Sequence, residues 1–274
     1  MSNNALDRLA ESSALPSRAS EATAIEQVRA VAEVAAAVRV AQEFPRNEMV
    51  AFGRMREACA DETLAQRAFY SLPRAGGRVD GSTIHLARAL AACWGNIDYG
   101  IRELRRDDEA GISEMQAWSW DQQTNTRSSR SFIVQHQIMA KGGRKKLTDL
   151  ADIANNNNSV AARQVRETIF AVLPLGYVAA AEEACRATLR GESRSQSDGG
   201  NLQQQIETLL AGFQKNVGVS RQRIEAALAL PVSDWDADTL ANLRILAGEI
   251  ARGEKKVEDE FPDDLAAEIQ GAKR

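Results

Sequence analysis

After Gly95 the hydrophobic period of the chain changes from 3.6 residues to 2, and beyond the basic run at 141–146 it returns to 3.6. That switch constrains the fold more than any other feature, because the two periods are those of helix and strand. A short block of strands enclosed by helices predicts an α+β fold, with helices packed on a small antiparallel β-meander of about three strands. The strands are expected at Ile97–Arg105, Ile112–Trp120 and Ser131–Met139. Their connections, Asp107–Gly111 and Asp121–Thr126, are polar and rich in turn-forming residues. Gln116, Trp118 and Trp120 share one face of the second strand. Both faces of the third carry apolar side chains, so the sheet is expected to be covered on one side and partly on the other.

The helical patterns around this block divide the chain. Residues 1–23 read as a flexible arm, rich in Ser, Asn and Ala. A core is expected over 24–190. It starts with a helix at Ala24–Glu43, stopped by Phe44-Pro45, and continues with helices near Glu48–Cys59 and Asp61–Tyr70. The glycine-rich connection Pro73–Gly81 leads to a helix at Thr83–Trp94 that Ser82 can cap. After the basic loop Lys141–Lys146, a helix is expected from Ser159 to Leu173 and, past Pro174-Leu175-Gly176, another to Arg190. Residues 191–200 have linker composition. Helices near Leu202–Asn216, Ser220–Leu228 and Ala237–Arg252 form a small module at 201–253, and 254–274 is an acidic tail.

The formal net charge is −4, so a nucleic-acid site must be a local patch offset by an acidic remainder. One such patch exists. Between residues 127 and 166 the cations are Arg127, Arg130, Lys141, Arg144, Lys145, Lys146, Arg163 and Arg166, and the acids are Asp149 and Asp152, a formal +6. Such a run grips phosphates without regard to sequence and weakens with salt. Arg163 and Arg166 share a helix face, and free amides at a helix opening near Ser159 would add to the grip. A solvated charged loop would show the same composition. Trp118 and His136 on the sheet, with Tyr99, can stack on bases beside a basic groove; a strand Trp is more often core, and Trp94 and Trp120 are read as core. His85 is read as structural.

Other chemistries lack their residues. No Gly-Lys-Ser/Thr follows the glycine-rich stretch, so it is not read as a phosphate loop. The two histidines lack ligand partners at metal spacing. Asp107-Asp108-Glu109 lies in a turn, which would splay the carboxylates a two-metal nuclease must converge. No nucleophilic triad can be traced. Cys59, Cys93 and Cys185 are scattered, which fits a reduced compartment, and no apolar run is long enough to cross a bilayer. The expectation is a soluble, cytoplasmic binding protein, not an enzyme.

Several stretches carry a more specific likeness. Phe44-Pro45-Arg46-Asn47, Leu64-Ala65-Gln66 through Tyr70, Gly81–Ala87, Trp94–Gly100, Trp120-Asp121 with Thr124-Asn125-Thr126, and Ala161-Ala162-Arg163 with Arg166 resemble the RecT/Redβ-like single-strand annealing proteins of phages. So do Gly218-Val219-Ser220, Trp235, Leu243-Arg244 and Gly253-Glu254. The likeness spans roughly residues 25–261 and departs at Thr83, where proline is expected, and at Asn155–Asn158. It implies ATP-independent binding and annealing of complementary DNA strands in phage recombination by a homo-oligomer, ring or filament. No cofactor is implied. The partners would be single-stranded DNA, the nascent duplex and, at the C-terminal module, a phage exonuclease or the host single-strand-binding protein. The competing expectations are a phage structural or scaffolding protein, and a general single-strand DNA-binding protein that does not anneal.

Overall fold

The computed structural model describes residues 21–74, 77–140, 143–191 and 201–262, with the side chains of 21–23 and 71–80 outside the description. The expected N-terminal arm up to residue 20, the linker at 192–200, Lys141 and the tail from residue 263 lie outside the described residues. The architecture is α+β.

Helix α1 (Glu21–Glu43) leads into α2 (Glu48–Ala60), whose first turn is capped by the Asn47 side chain. Asp61 then caps α3 (Glu62–Arg67), accepting from the Thr63 and Leu64 amides. This helix ends earlier than expected, because Phe69 opens a strand. The glycine-rich connection is a hairpin, β1 (Phe69–Arg74) with β2 (Gly77–Ser82). Thr83, not Ser82, caps α4 (Ile84–Trp94); the Ser82 hydroxyl bonds Glu182 instead.

The meander is β3 (Ile97–Asp107), β4 (Ile112–Asp121) and β5 (Thr126–Gln135), antiparallel in that order. The third strand starts five residues before its expected place, and it stops at His136. There the backbone leaves the ladder: the His136 amide donates to the Gly111 carbonyl, and the Leu147 amide donates to the His136 carbonyl. What reads as a basic loop is a second hairpin, β6 (Gln137–Ala140) with β7 (Gly143–Lys146).

Helix α5 (Leu150–Val172) begins nine residues before the expected Ser159. Asp149 caps it, accepting from the Ala151 and Asp152 amides, so no free helix opening exists at Ser159. The asparagine run, a poor helix former, lies within the helix because tertiary bonds outweigh propensity: Asn156 donates to the Gln135 carbonyl and buried Asn157 to the Ser113 hydroxyl. Helix α6 (Leu175–Arg190) follows Pro174 and ends on left-handed Gly191.

Two cores result. The first gathers Met55, Leu86, Leu90, Trp94, Ile169, Tyr177 and Leu189, with Phe52, Trp94 and Tyr177 in mutual ring contact. The second holds the C-terminal helices α7 (Leu202–Val217), α8 (Arg221–Leu228) and α9 (Ala237–Ala251), followed by the short α10 (Val257–Glu260). Helix α9 belongs to both: Ala241 and Ile245 enter the first core, while Leu240, Leu243 and Ile250 enter the second. The C-terminal module is therefore fastened to the main body along a shared helix. All three cysteines are free thiols, two of them buried. No single helix among the described residues is long and apolar enough to cross a membrane.

Helix α5 runs along the sheet and covers one face. Ala161 sits on Met115 and Val134, and the Ser119 hydroxyl bonds that of Thr168 at 2.9 Å. Along β4 the buried positions Ser113, Met115, Ala117, Ser119 and Asp121 alternate with half-buried Ile112, Glu114, Gln116, Trp118 and Trp120. The side chains that meet the helix are mostly small, which lets it approach closely.

Candidate nucleic-acid interface

On α5 the covered side is set by Asn157, Ala161, Val165 and Ile169. Ser159, Ala162, Arg163 and Arg166 follow one another at helical spacing on a different side. That side forms a wall of a cleft of about 440 Å³. Arg67, at the end of α3, and Tyr70 of β1 line it as well. His85 enters from the first turn of α4, and Arg252 from the end of α9, together with Glu249 and Glu254. Four arginines from three distant stretches of sequence thus meet in one concavity.

Their pairing differs. Arg166 is bonded to Glu167 at 2.7 Å and lies over the Tyr70 ring at 5.2 Å, and Arg252 is bonded to Glu254 at 2.7 Å. Glu249 is engaged by Lys255 at 2.9 Å. Arg67 and Arg163 form no salt bridge among the described residues, although the charge of Arg67 reaches Glu254 and, after the Arg252 bond, helps hold its carboxyl below the ordinary value. The field in the cleft is positive enough to register on His85. Burial is the largest cause lowering its pKa, and Arg67 and Arg88 lower it further against a smaller opposing pull from Glu254. Burial and the neighbouring guanidinium groups both favour the neutral imidazole, so the cleft's positive charge comes mainly from its arginines.

The uncovered sheet face is the second surface. In register across the strands, Asp98, Trp120 and Arg127 form one row, Gly100, Trp118 and Ser129 the next, and Arg102, Gln116 and Ser131 a third. Trp118 lies flat over Gly100, with its Nε1 donating to Asp98 and the Arg102 guanidinium 4.4 Å from the ring centroid. Trp120 donates to Asn125, which holds a left-handed turn conformation at φ 56°. Trp120 is therefore on the open face with Trp118, not in the core as expected, because the helix covers the other side of β4. Trp94 is in the core. A Cβ on Gly100 would stand 2.6 Å from Trp118 Cζ2. Gly100→Ala is accordingly expected to lift the indole, break its bond to Asp98 and cost about 1–2 kcal/mol. Denaturant unfolding followed by tryptophan fluorescence checks this; an unchanged midpoint would mean the indole does not rest there.

The cations expected to form one strip are distributed over several places. Arg163 and Arg166 lie together in the cleft. Arg127 is exposed on the open sheet face beside Trp120, whereas Arg130 pairs in register with Ala117 and belongs to the opposite face. Arg144, Lys145 and Lys146 are exposed on β7, near the Gly111 turn at one end of the sheet. Lys141 lies outside the described residues. His136 does not fit the stacking role expected of it. Its ring is 3% exposed and its Nε2 is 2.9 Å from the Ser113 hydroxyl, so it belongs to the buried network with Asn157. Sequence reasoning missed Arg67, Tyr70 and Arg252, which only the fold brings to the cleft. Among the described residues no group of three or more His, Cys, Asp or Glu side chains is placed to hold a metal ion. Comparisons with family models, with curated proteins and with solved structures find no match for this chain.

Proposed function

We propose that this chain is an ATP-independent single-strand DNA annealing protein with a RecT/Redβ-like core, acting as an oligomer in phage recombination. The observation that carries the reading is the convergence of Arg67, Arg163, Arg166 and Arg252 on one cleft of a chain whose net charge is −4. Guanidinium groups grip phosphates by charge and paired hydrogen bonds, which is sequence-independent. Phosphates lie in the cleft and the bases face outward, where a complementary strand can reach them. Tyr70 offers a ring at the cleft wall, and Trp118 and Trp120 offer aromatic surface on the sheet. The cleft cations screen strand–strand repulsion, and base pairing supplies about 1.4 kcal/mol per stacked step, so the cycle needs no nucleotide.

The test is the annealing of two complementary labelled oligonucleotides without nucleotide and with chelator present. Acceleration over the spontaneous rate is expected. Four phosphate contacts on a single strand imply a salt slope of about −2.8, hence roughly 50-fold weaker binding for a fourfold rise in salt. Binding without acceleration would reduce the function to general single-strand binding. Absence of binding at low salt would favour a structural or scaffolding protein, and degradation on adding magnesium would mean a nuclease.

A further inference from the structure

Next to the arginine cleft lies a second, smaller cavity of about 290 Å³, formed between β1 and the C-terminal helices. Phe69, Tyr70 and Glu249 line both hollows, so the two are neighbours across that wall. The Tyr70 ring is set in place by the backbone opposite. A Cβ on Gly81, its partner across the β1–β2 ladder, would stand 2.6 Å from the Tyr70 hydroxyl oxygen. Each hollow brings a cation to the wall. Arg166, in the cleft, lies over the Tyr70 ring at 5.2 Å, and Arg186 of α6, in the cavity, lies over the Phe69 ring at 4.4 Å. Arg186 is exposed and forms no salt bridge among the described residues. The shared acid does not cancel these charges, because the Glu249 side chain is 8% exposed and is held by Lys255 at 2.9 Å.

The cavity differs from the cleft in kind. Phe69, Leu230, Leu243 and Leu246 give it apolar walls, and its size is near the lower end of the roughly 300–1,000 Å³ usual for small-ligand sites. Two polar groups stand among them. Asn242 is exposed and offers an amide, and the buried ammonium of Lys255, between Glu249 and Glu260, keeps a donor without an acceptor. An apolar peptide side chain would cover that donor and leave it unmet. A flat ring with apolar faces and an edge of acceptors would meet it, and a phosphate on either side of the ring would find a guanidinium. We propose that the cavity takes one nucleobase of the bound single strand, turned inward past Tyr70, with the phosphates that flank it on Arg166 and Arg186. The inference rests on the annealing reading for the strand itself and deepens it. One base per site is withheld from pairing and keeps the strand from sliding, while the others face outward.

Fluorescence anisotropy of the full chain tests it, with a labelled thymidine oligonucleotide and a strand of equal length that lacks every base. The wild type is expected to bind the abasic strand roughly 10-fold more weakly or worse, since a held base contributes on that scale. Asn242→Met sets a longer apolar side chain at the cavity from an exposed position, and circular dichroism checks that the fold is kept. This variant should bind the thymidine strand roughly 10-fold more weakly than the wild type, with the salt slope unchanged because no phosphate contact is lost. Its penalty for missing bases should shrink by about the same factor. Arg186→Ala should instead make the salt slope shallower by about 0.7. Equal wild-type affinity for the two strands, or wild-type affinity in Asn242→Met, overturns the cavity assignment and leaves the annealing reading standing. An abasic penalty undiminished in Asn242→Met overturns it as well, and moves the base contacts to Trp118 and Trp120. A wild type that binds neither strand at low salt sinks the annealing reading, and this inference falls with it.

Discussion

Replacing Arg46 with alanine is expected to destabilise the fold by about 3–5 kcal/mol, the largest single-residue effect anticipated on stability. The Arg46 and Asp121 side chains are 4% and 3% exposed, and two N–H···O bonds of 2.8 Å join them in a fork. The same guanidinium donates to the Trp94 and Gly95 carbonyls and stacks on the Trp94 ring at 4.6 Å. It therefore ties the α1–α2 junction, the end of α4 and the β4–β5 turn together. Removing it leaves a buried carboxylate without its counter-charge and takes a donor from two carbonyls, and the melting temperature should fall by roughly 6–20 °C. The pH profile separates this account from a simple packing loss. Burial acts to raise the Asp121 pKa, but the bonds and charge of Arg46, with the Thr124 and Gln123 amides, outweigh it and hold the carboxyl below its ordinary value. In the wild type this stability is present above the unfolded carboxylate pKa and is lost as pH falls through the lower folded value. Without Arg46, burial is opposed by the two amides alone, so the folded pKa is expected to move upward and acidification to cost the variant less than it costs the wild type. The stability gap between the two proteins should narrow from pH 7 toward pH 4; a constant gap would mean that Asp121 is not the group left uncompensated.

The helices were legible because their ends are written locally. Asn47, Asp61, Asn201, Ser220 and Asp236 each accept from the first-turn amides of the helix they open. The first two strands of the meander, β3 and β4, were legible from their alternation, whereas the β1–β2 hairpin read as a glycine-rich connection. The third was not, because its end is set by bonds from His136 to Gly111 and Leu147, which no local pattern signals. The asparagine run concealed the start of α5 for the same reason: Asn156 and Asn157 are held by Gln135 and Ser113, remote in sequence. Period-two reading placed Gln116, Trp118 and Trp120 on one face but left open which face the helix covers. Side-chain size decides it, since Ser113, Ala117 and Ser119 admit α5 where two indoles would hold it off. Two of the cleft arginines, Arg163 and Arg166, were visible as a pair on one helix face. Arg67 and Arg252 were invisible, because the approach of α3 and α9 to that face is a property of the shared core.

Arg163→Ala combined with Arg166→Ala is expected to weaken single-strand DNA binding by roughly 100-fold at low salt, two charge-assisted phosphate contacts being lost. The salt slope should become shallower by about 1.4, at roughly 0.7 per contact on a single strand. That change in slope is the diagnostic reading, because a variant that merely lost part of its folded population would bind less with the wild-type slope. Arg163 is exposed and without an acid partner among the described residues, so its removal leaves no buried group unpaired. Removing Arg166 releases Glu167, which is already partly in solvent, and uncovers one face of Tyr70. A small loss of thermal stability is expected, far less than that of Arg46→Ala. The comparison that gives the result its meaning is the hairpin triple variant, Arg144→Ala with Lys145→Ala and Lys146→Ala, which removes more positive charge from the chain than the cleft variant does. If phosphates are held in the cleft, the triple variant binds a short oligonucleotide nearly as the wild type does and the cleft variant does not. If affinity follows total charge instead, the triple variant is the weaker of the two, and the cleft is not where the strand lies.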